Sequence, residues 1–257
     1  MTVRIPKGPG EASEAWTIDF RETAPRLANS TMFNDDPLSA IFGGLSVGVP
    51  GELRGLQEAH RRWGKLPWKK LVEPSIALAK GWKVDKELAR RILVSCSPSR
   101  LMITETHKLF SDFLLINPDW SSIFAPNGHL LKEGNVIRRT NLSRTLSYIA
   151  ERGPDAFYKV WLHISSPRHA HLSKGHIADS IVRKVQSTGG ILSHADLEDY
   201  RVKVQTALEG SYHGRRIMTT HAPTSGPGKV DSHGRLSEIC DSSTISTAAY
   251  AKCIGGL

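Results

Sequence analysis

Between residues 175 and 220 the spacing of apolar residues changes from one period to another, and this change limits the folds that the chain can adopt. In "GHIADSIVRKVQST", residues 175–188, Ile177, Ile181, Val182 and Val185 recur at helical spacing and end at a pair of glycines. In "VKVQTALEGSYHGRRIMTT", residues 202–220, apolar and polar side chains instead alternate as in strands, with a turn at His213-Gly214. Between the two, Ser193 and Asp196 have the spacing of a capping box. The chain must therefore combine helices with a sheet.

The earlier sequence follows the same mixed pattern. Residues 16–20 predict a strand, "NSTMFNDDP" predicts a loop, and "ELRGLQEAHRRWG" predicts a helix that begins near Pro50 and ends at Gly64. Further helices are predicted at 68–80, interrupted at Pro74, at 85–93 with Asp85 as the cap, and at 141–152 before Gly153. The predicted fold class is α/β in the broad sense (α+β), without internal repeats.

Charge, cysteine usage and hydropathy exclude several classes of function. The net charge is +9, and residues 51–100 hold twelve basic and five acidic side chains. These cations are spread over separate short helices without a recognition fold or stacking aromatics, so no nucleic-acid partner is predicted. Three widely spaced cysteines predict neither a zinc site nor a disulfide framework. No run of 18 apolar residues predicts a membrane segment, and no leader is evident.

Other candidate sites fail on their spacing. Gly43 and Gly48 are spaced as in a phosphate loop, but Val49 stands where lysine is required, so these glycines are expected to allow close backbone packing. The histidines of "RHAHLSKGH" lack helix-face spacing and nearby carboxylate ligands. No cofactor and no metal are therefore predicted, and the chain shows no serine-hydrolase elbow or zinc-protease helix.

One residue does indicate a ligand. In "WTIDFRETAP", residues 16–25, Arg21 lies in an apolar, β-rich segment, where a guanidinium costs desolvation free energy unless an anion meets it. From the residues alone, that anion is either an acid of the fold or the carboxylate of a ligand.

Five blocks of the sequence, taken in order, resemble the large-subunit half of γ-glutamyltranspeptidases, also called glutathione hydrolases. The blocks are "IDFRETAP", "LSVGVPGELRGLQEAHRRWGKLPWKKLVEPSIALAKGW", "GPDAFY", "TGGILSHADLEDYRVKV" and "GSYHGRRIMTTHAPTSG", between about residue 16 and Pro227. The resemblance implies an incomplete N-terminal-nucleophile hydrolase fold, with helices packed on a mixed sheet. It also implies a precursor that cuts itself in two, so that a threonine at the start of a small subunit attacks the γ-glutamyl amide.

The resemblance also assigns a role to Arg21. It matches the family arginine that binds the α-carboxylate of the γ-glutamyl group, and it is the one substrate-binding residue predicted. Tyr212, His213 and Arg215 fall in the strand-turn block and are expected to be packing and surface residues. The implied partners are glutathione, other γ-glutamyl compounds and a small subunit.

Departures from the family pattern limit the predicted activity. Residues 1–227 are predicted to be a partial large subunit, with an insertion at 160–174, a similar interruption at 94–107 and a divergent, disordered tail at 228–257. The catalytic threonine is absent from this chain, so no catalytic residue is predicted and the chain alone is expected to be inactive. The alternative is a non-enzymatic fragment that binds γ-glutamyl compounds or pairs with another subunit. The family is plasma-membrane-anchored, secreted or vacuolar, and this chain does not select among those compartments.

Overall fold

A computed structural model describes residues 1–9, 11–94, 113–159, 176–212, 214–222 and 224. The chain divides into two compact units, one formed by Met1–Gly64 with Asp179–Leu257 and the other by Lys65–Ala178. Among the described residues, the strands are β1 (Thr2–Ile5), β2 (Glu14–Asp19), β3 (Trp82–Lys83), β4 (Val136–Ile137), β5 (Lys203–Thr206), β6 (Leu208–Tyr212) and β7 (Arg215–Thr219). The α-helices with defined bounds among these residues are α1 (Glu52–Trp63), α2 (Trp68–Lys80), α3 (Lys86–Val94), α4 (Pro118–Phe124), α5 (Thr140–Arg152), α6 (Asp155–Tyr158), α7 (His176–Ser187) and α8 (His194–Asp199).

The first unit contains a three-stranded antiparallel sheet in the order β1-β2-β5. The central strand β2 pairs Trp16 with Val3 on one side and with Thr206 on the other. Its Ile18 is fully buried, in keeping with a central position. The strand ends at Asp19, so the prediction of a strand over 16–20 is right about the strand and places its end one residue too late.

A hairpin of β6 and β7 completes the strands of this unit. Tyr212 faces Arg215 across a two-residue turn, and Gly214 has a φ of +73°, a conformation that glycine adopts without strain. The strands and the turn position predicted for this segment are confirmed, although the exposure of β7 does not alternate from residue to residue.

Local signals also fix the helices of the first unit. Ser193 and Asp196 form the predicted capping box at the start of α8: the Asp196 amide donates to Ser193 Oγ at 3.2 Å, and the Ser193 amide donates to Asp196 Oδ2 at 2.9 Å. Leu197 of α8 and Leu192 are fully buried, and Val182 of α7 is almost fully buried. These residues belong to the buried apolar core of the first unit.

The second unit is built on the pairing of helices α2 and α5. Trp68 Nε1 donates to the carbonyl of Ile149 at 3.2 Å, and Ser143 Oγ donates to the carbonyl of Ile76 at 3.1 Å. A short β3–β4 ladder lies beside a cluster of buried apolar side chains, namely Val84, Ala89, Ile92, Leu131 and Ile137. Asp85 caps α3 as predicted, accepting from the Leu88 amide at 2.7 Å.

The predicted interruption at Pro74 is wrong, because α2 runs through it from Trp68 to Lys80. A proline inside a helix removes one backbone hydrogen bond. The pairing of α2 with α5 and the buried Ala79 near its end hold the helix together despite that loss.

Several predictions fall outside the described residues. The insertion at 160–174, the interruption after Val94, the tail at 228–257, all three cysteines, His169 and His171 belong to this group. Within the described part of the chain, no helix combines the length and the apolar character needed to span a bilayer.

Candidate functional site

A cavity of about 560 Å³ opens beside the C-terminal end of β2, within the first unit. Thr17, Arg21 and Glu22 line it, together with Glu52 at the start of α1 and His221 after β7. Three segments that are distant in the sequence thus meet at the C-terminal end of the central strand β2.

Arg21 lies on the first residues after β2, and its backbone is held on both sides. Its amide donates to Asp19 Oδ1 at 3.1 Å, and its carbonyl accepts a hydrogen bond from the Tyr200 hydroxyl at 2.7 Å. Its side chain is 58% exposed and Nε lies 3.2 Å from Glu22 Oε1. The backbone is fixed, therefore, while the guanidinium stays accessible at the cavity.

The residues beside Arg21 are packed against glycines of the loop before α1 and of α1 itself. A methyl group at Gly51 would approach Tyr200 Oη and the carbonyl of Phe20 more closely than the 3.0 Å limit of real Cβ contacts. A methyl group at Gly55 would overlap the Phe20 ring. Thr23 then pairs with Val49 through an isolated antiparallel bridge. Close packing at Gly51 and Gly55 holds the segment that carries Arg21. Of the two glycines for which close packing is predicted, Gly48 is tightly packed, since an added Cβ would meet Glu22 and the Thr23 carbonyl at 3.3 Å, whereas an added Cβ at Gly43 would make an ordinary contact at 3.5 Å.

Tyr200 is the buried member of this arrangement. It follows α8 and is only 5% exposed. Burial, together with the negative charges of Asp19 and Glu22, raises the pKa of Tyr200 to about 12. The phenol is therefore protonated across the physiological range and is a permanent hydrogen-bond donor to Arg21.

The charges around the cavity have both signs. Asp19, Glu22 and Glu52 contribute carboxylates, and Arg21 contributes a guanidinium. The N-terminal end of α1 also borders the cavity at Gly51, where the helix dipole carries a partial positive charge. His221 is tied back to the protein through a 2.7 Å contact between its ring Nε2 and the carbonyl of Thr206.

The structure modifies the expectation for Arg21 in one respect. The residue was expected in an apolar, β-rich segment, with a desolvation cost that demands an anion, but it follows the end of β2 and more than half of its side chain is exposed. Glu22 supplies an ion partner, and an exposed pair of this kind contributes only about 0 to 1 kcal/mol to stability. The two alternatives do not exclude each other: an acid of the fold, Glu22, meets Nε of the guanidinium, and Arg21 also lines the cavity.

The other predicted positions are not brought to this site. Tyr212 and Arg215 are opposite each other at the end of the β6–β7 hairpin, and His213 lies outside the described residues. Across the described ranges, no group of three or more histidine, cysteine, aspartate or glutamate residues is arranged to hold a metal ion. The sequence reasoning did not single out Tyr200, although the block "LSHADLEDY" contained it.

Comparison with known proteins shows what kind of protein has this arrangement. The family model described as γ-glutamyltranspeptidase matches residues 10–233. The chain belongs to the γ-glutamyltranspeptidase family. The matched region contains β2, Arg21, the glycine loop and Tyr200, and therefore most of the residues that line the cavity.

Individual relatives agree with this assignment. The chain is 37% identical over 227 residues to a glutathione hydrolase proenzyme of Arthroderma benhamiae, and 36% identical over 240 residues to glutathione hydrolase proenzyme 1 of Schizosaccharomyces pombe. These alignments cover 88% and 93% of this chain. The chain spans about a third of the length of these curated relatives, 33% in each case.

Solved structures give the same fold. The crystal structure of Helicobacter pylori γ-glutamyltranspeptidase aligns with a TM-score of 0.68 at 26% identity, covering 88% of this chain and 57% of that one. The predicted fold class, helices and sheets of the N-terminal-nucleophile hydrolase type, is confirmed. The mixed sheet that the resemblance implies is not seen among the described residues, because all of their strand pairings are antiparallel.

Proposed function

We propose that this chain supplies the γ-glutamyl-binding part of a glutathione hydrolase, with Arg21 binding the α-carboxylate of the substrate. The observation that carries the proposal is the position of Arg21: its backbone is fixed at the end of β2, while its guanidinium is 58% exposed beside a cavity of about 560 Å³. A charged group that is accessible on an immobilised backbone can bind a ligand with little loss of conformational freedom.

The geometry of the guanidinium supports this role. Among the described residues, its ion partner is Glu22, which approaches Nε. A guanidinium has a second edge formed by its two terminal nitrogens, and that edge can donate two parallel hydrogen bonds to a carboxylate. Binding a substrate on this edge does not require Glu22 to leave.

The mixed charge of the cavity favours a particular kind of carboxylate. A simple anion would be repelled by the carboxylates of Asp19, Glu22 and Glu52, which line the same cavity. A γ-glutamyl head group is an α-amino acid, so its ammonium lies beside its carboxylate and is attracted by those acids. Glutathione and other γ-glutamyl compounds carry this head group.

The proposed reaction is cleavage of the γ-glutamyl amide, with transfer of the glutamyl group to water or to an amino acid. In this reaction the residues of the described chain bind and orient the substrate, and none is proposed as the nucleophile. The family resemblance assigns that role to a threonine of a small subunit, which is the proposed protein partner.

Binding by the purified chain tests this proposal. S-methylglutathione is a suitable probe because its thiol is blocked, and calorimetry gives its dissociation constant for the unmodified chain, Arg21→Ala and Arg21→Lys. Arg4→Ala is the matched control, since Arg4 is an exposed arginine of β1 that bonds to Ser13 and does not line the cavity.

We expect Arg21→Ala to weaken binding by about 1.5 to 3 kcal/mol, the usual contribution of hydrogen bonds to a charged group. The dissociation constant of Arg21→Lys should fall between those of the unmodified chain and Arg21→Ala, because lysine keeps the charge and loses the planar pair of donors. A separate assay for release of p-nitroaniline from γ-glutamyl-p-nitroanilide should show no turnover by this chain alone. Equal binding by Arg21→Ala and Arg4→Ala would reject the role of Arg21.

A further inference from the structure

The hydroxyl of Tyr200 makes a hydrogen bond to the Arg21 backbone from a distant part of the sequence. It reaches the Arg21 carbonyl at 2.7 Å from 179 residues further along the chain. The other backbone bond of Arg21 is local, since Asp19 is only two residues away. Tyr200 therefore connects the end of β2 to the end of α8, two segments that the local sequence does not hold together.

The surroundings of Tyr200 leave its hydroxyl little freedom. The side chain is almost completely buried, and Gly51 passes so close to Tyr200 Oη that a Cβ atom at that position would have no room. The carbonyl of Phe20, the residue before Arg21, lies against the same Cβ position of Gly51. A ring packed this tightly cannot rotate away, so its hydroxyl holds the Arg21 carbonyl in one position.

We infer that Tyr200 is a positioning residue for substrate recognition: its hydroxyl fixes the backbone of Arg21 so that the guanidinium points at the α-carboxylate of a γ-glutamyl ligand. The inference rests on the proposed role of Arg21. Tyr200 touches no ligand and acts only through the Arg21 carbonyl. Losing its hydroxyl leaves the guanidinium in place but allows its backbone to move, which weakens an interaction that depends on alignment.

The matched substitutions are Tyr200→Phe and Tyr158→Phe. Each removes one hydroxyl from a buried ring, and Tyr158 belongs to the Lys65–Ala178 unit and is not among the residues that line the cavity. The measurements are amide hydrogen exchange and the affinity for S-methylglutathione, both in the full chain. Urea unfolding of each variant establishes that it is folded under the conditions of the measurements.

We expect Tyr200→Phe to speed exchange of the Arg21 and Thr23 amides about fivefold, the effect of losing one neutral hydrogen bond. Affinity for S-methylglutathione should fall about three- to tenfold, and Tyr158→Phe should change neither quantity. In an Arg21→Ala background, Tyr200→Phe should cause no further loss of affinity, because the group that it positions is gone.

The outcomes separate this inference from the function on which it rests. If Arg21→Ala leaves affinity unchanged, the proposed function fails, and the positioning role fails with it. If Arg21→Ala weakens binding but Tyr200→Phe alters neither amide exchange nor affinity, the positioning role alone is wrong. It is also wrong if Tyr200→Phe weakens binding equally with and without Arg21, since that result marks a general loss of structure.

Discussion

Replacing Gly51 with alanine adds only one methyl group, but it should clearly destabilise the first unit. Gly51 has φ −110° and ψ −16°, so alanine can adopt its backbone conformation without strain. The obstacle is space, because the new methyl group would meet Tyr200 Oη, Tyr200 Cζ and the Phe20 carbonyl inside the 3.0 Å limit for Cβ contacts. A carbonyl of the backbone and a buried ring cannot yield as a flexible side chain would.

The size of the effect follows from three contributions. Overpacking costs about 1 to 3 kcal/mol, and displacing the Tyr200 hydroxyl from the Arg21 carbonyl adds about 1 kcal/mol. The reduced freedom of the unfolded chain returns about 0.4 to 1 kcal/mol. The expected net loss is about 1 to 3.6 kcal/mol in the free energy of unfolding.

Urea unfolding of Gly51→Ala and Gly8→Ala checks this estimate. Gly8 is the matched control in the same unit, because the nearest atom to its added methyl group would be Glu11 Oε1 at 3.9 Å, an ordinary contact. Gly8→Ala should leave the midpoint unchanged or raise it slightly. Equal midpoints for the two variants would show that the loop at Gly51 can move away from Tyr200, and the argument for a rigid Arg21 segment would fail.

Two further predictions concern stability. Burial raises the pKa of Asp196, but hydrogen bonds from Ser193 and Arg26 more than offset this effect, so the pKa is lowered in the folded chain. The ionised Asp196 therefore stabilises the fold above its unfolded-state pKa, and this stabilisation is lost as the pH falls through the folded-state pKa. Asp196→Asn should accordingly be less stable than the unmodified chain at pH 7, with the difference shrinking below about pH 4, and a difference that is constant with pH would contradict this account. Pro74→Ala should restore the backbone hydrogen bond missing from α2 and raise the free energy of unfolding by about 1 to 2 kcal/mol, measured by urea unfolding; a lower stability would show that the proline ring is needed where it lies.

Local signals in the sequence were sufficient for many elements. The capping box of Ser193 and Asp196 and the Asp85 cap involve residues three positions apart, and the turn at Gly214 needs one positive φ. Such interactions are decided within a few residues, so the sequence pattern contains all the information that they require.

The features that the sequence did not reveal depend on tertiary contacts. Pro74 was expected to interrupt a helix, and the pairing of α2 with α5 overrides that local preference. The arrangement of Arg21 after β2 depends on residues that are distant in the sequence. Gly51 lies against Tyr200 and Phe20, and Tyr200, which bonds to the Arg21 carbonyl, is 179 positions away. The family resemblance predicted Arg21 as a ligand-binding residue, but only the structure shows the Tyr200 hydroxyl bonded to its backbone. The division into residues 1–227, an insertion at 160–174 and a tail at 228–257 stays a prediction.

The central claim is that the Arg21 guanidinium binds the α-carboxylate of a γ-glutamyl group, and a double cycle measures this contact directly. One side of the cycle replaces Arg21 with alanine; the other replaces the α-carboxylate of the glutamyl residue of S-methylglutathione with a carboxamide. The four dissociation constants give the coupling free energy between the two groups. We predict that the carboxamide binds the unmodified chain about tenfold or more weakly than the free acid, and that Arg21→Ala binds both ligands equally. A carboxamide that loses the same affinity in both proteins would contradict the claim and leave Arg21 with only its ion pair to Glu22.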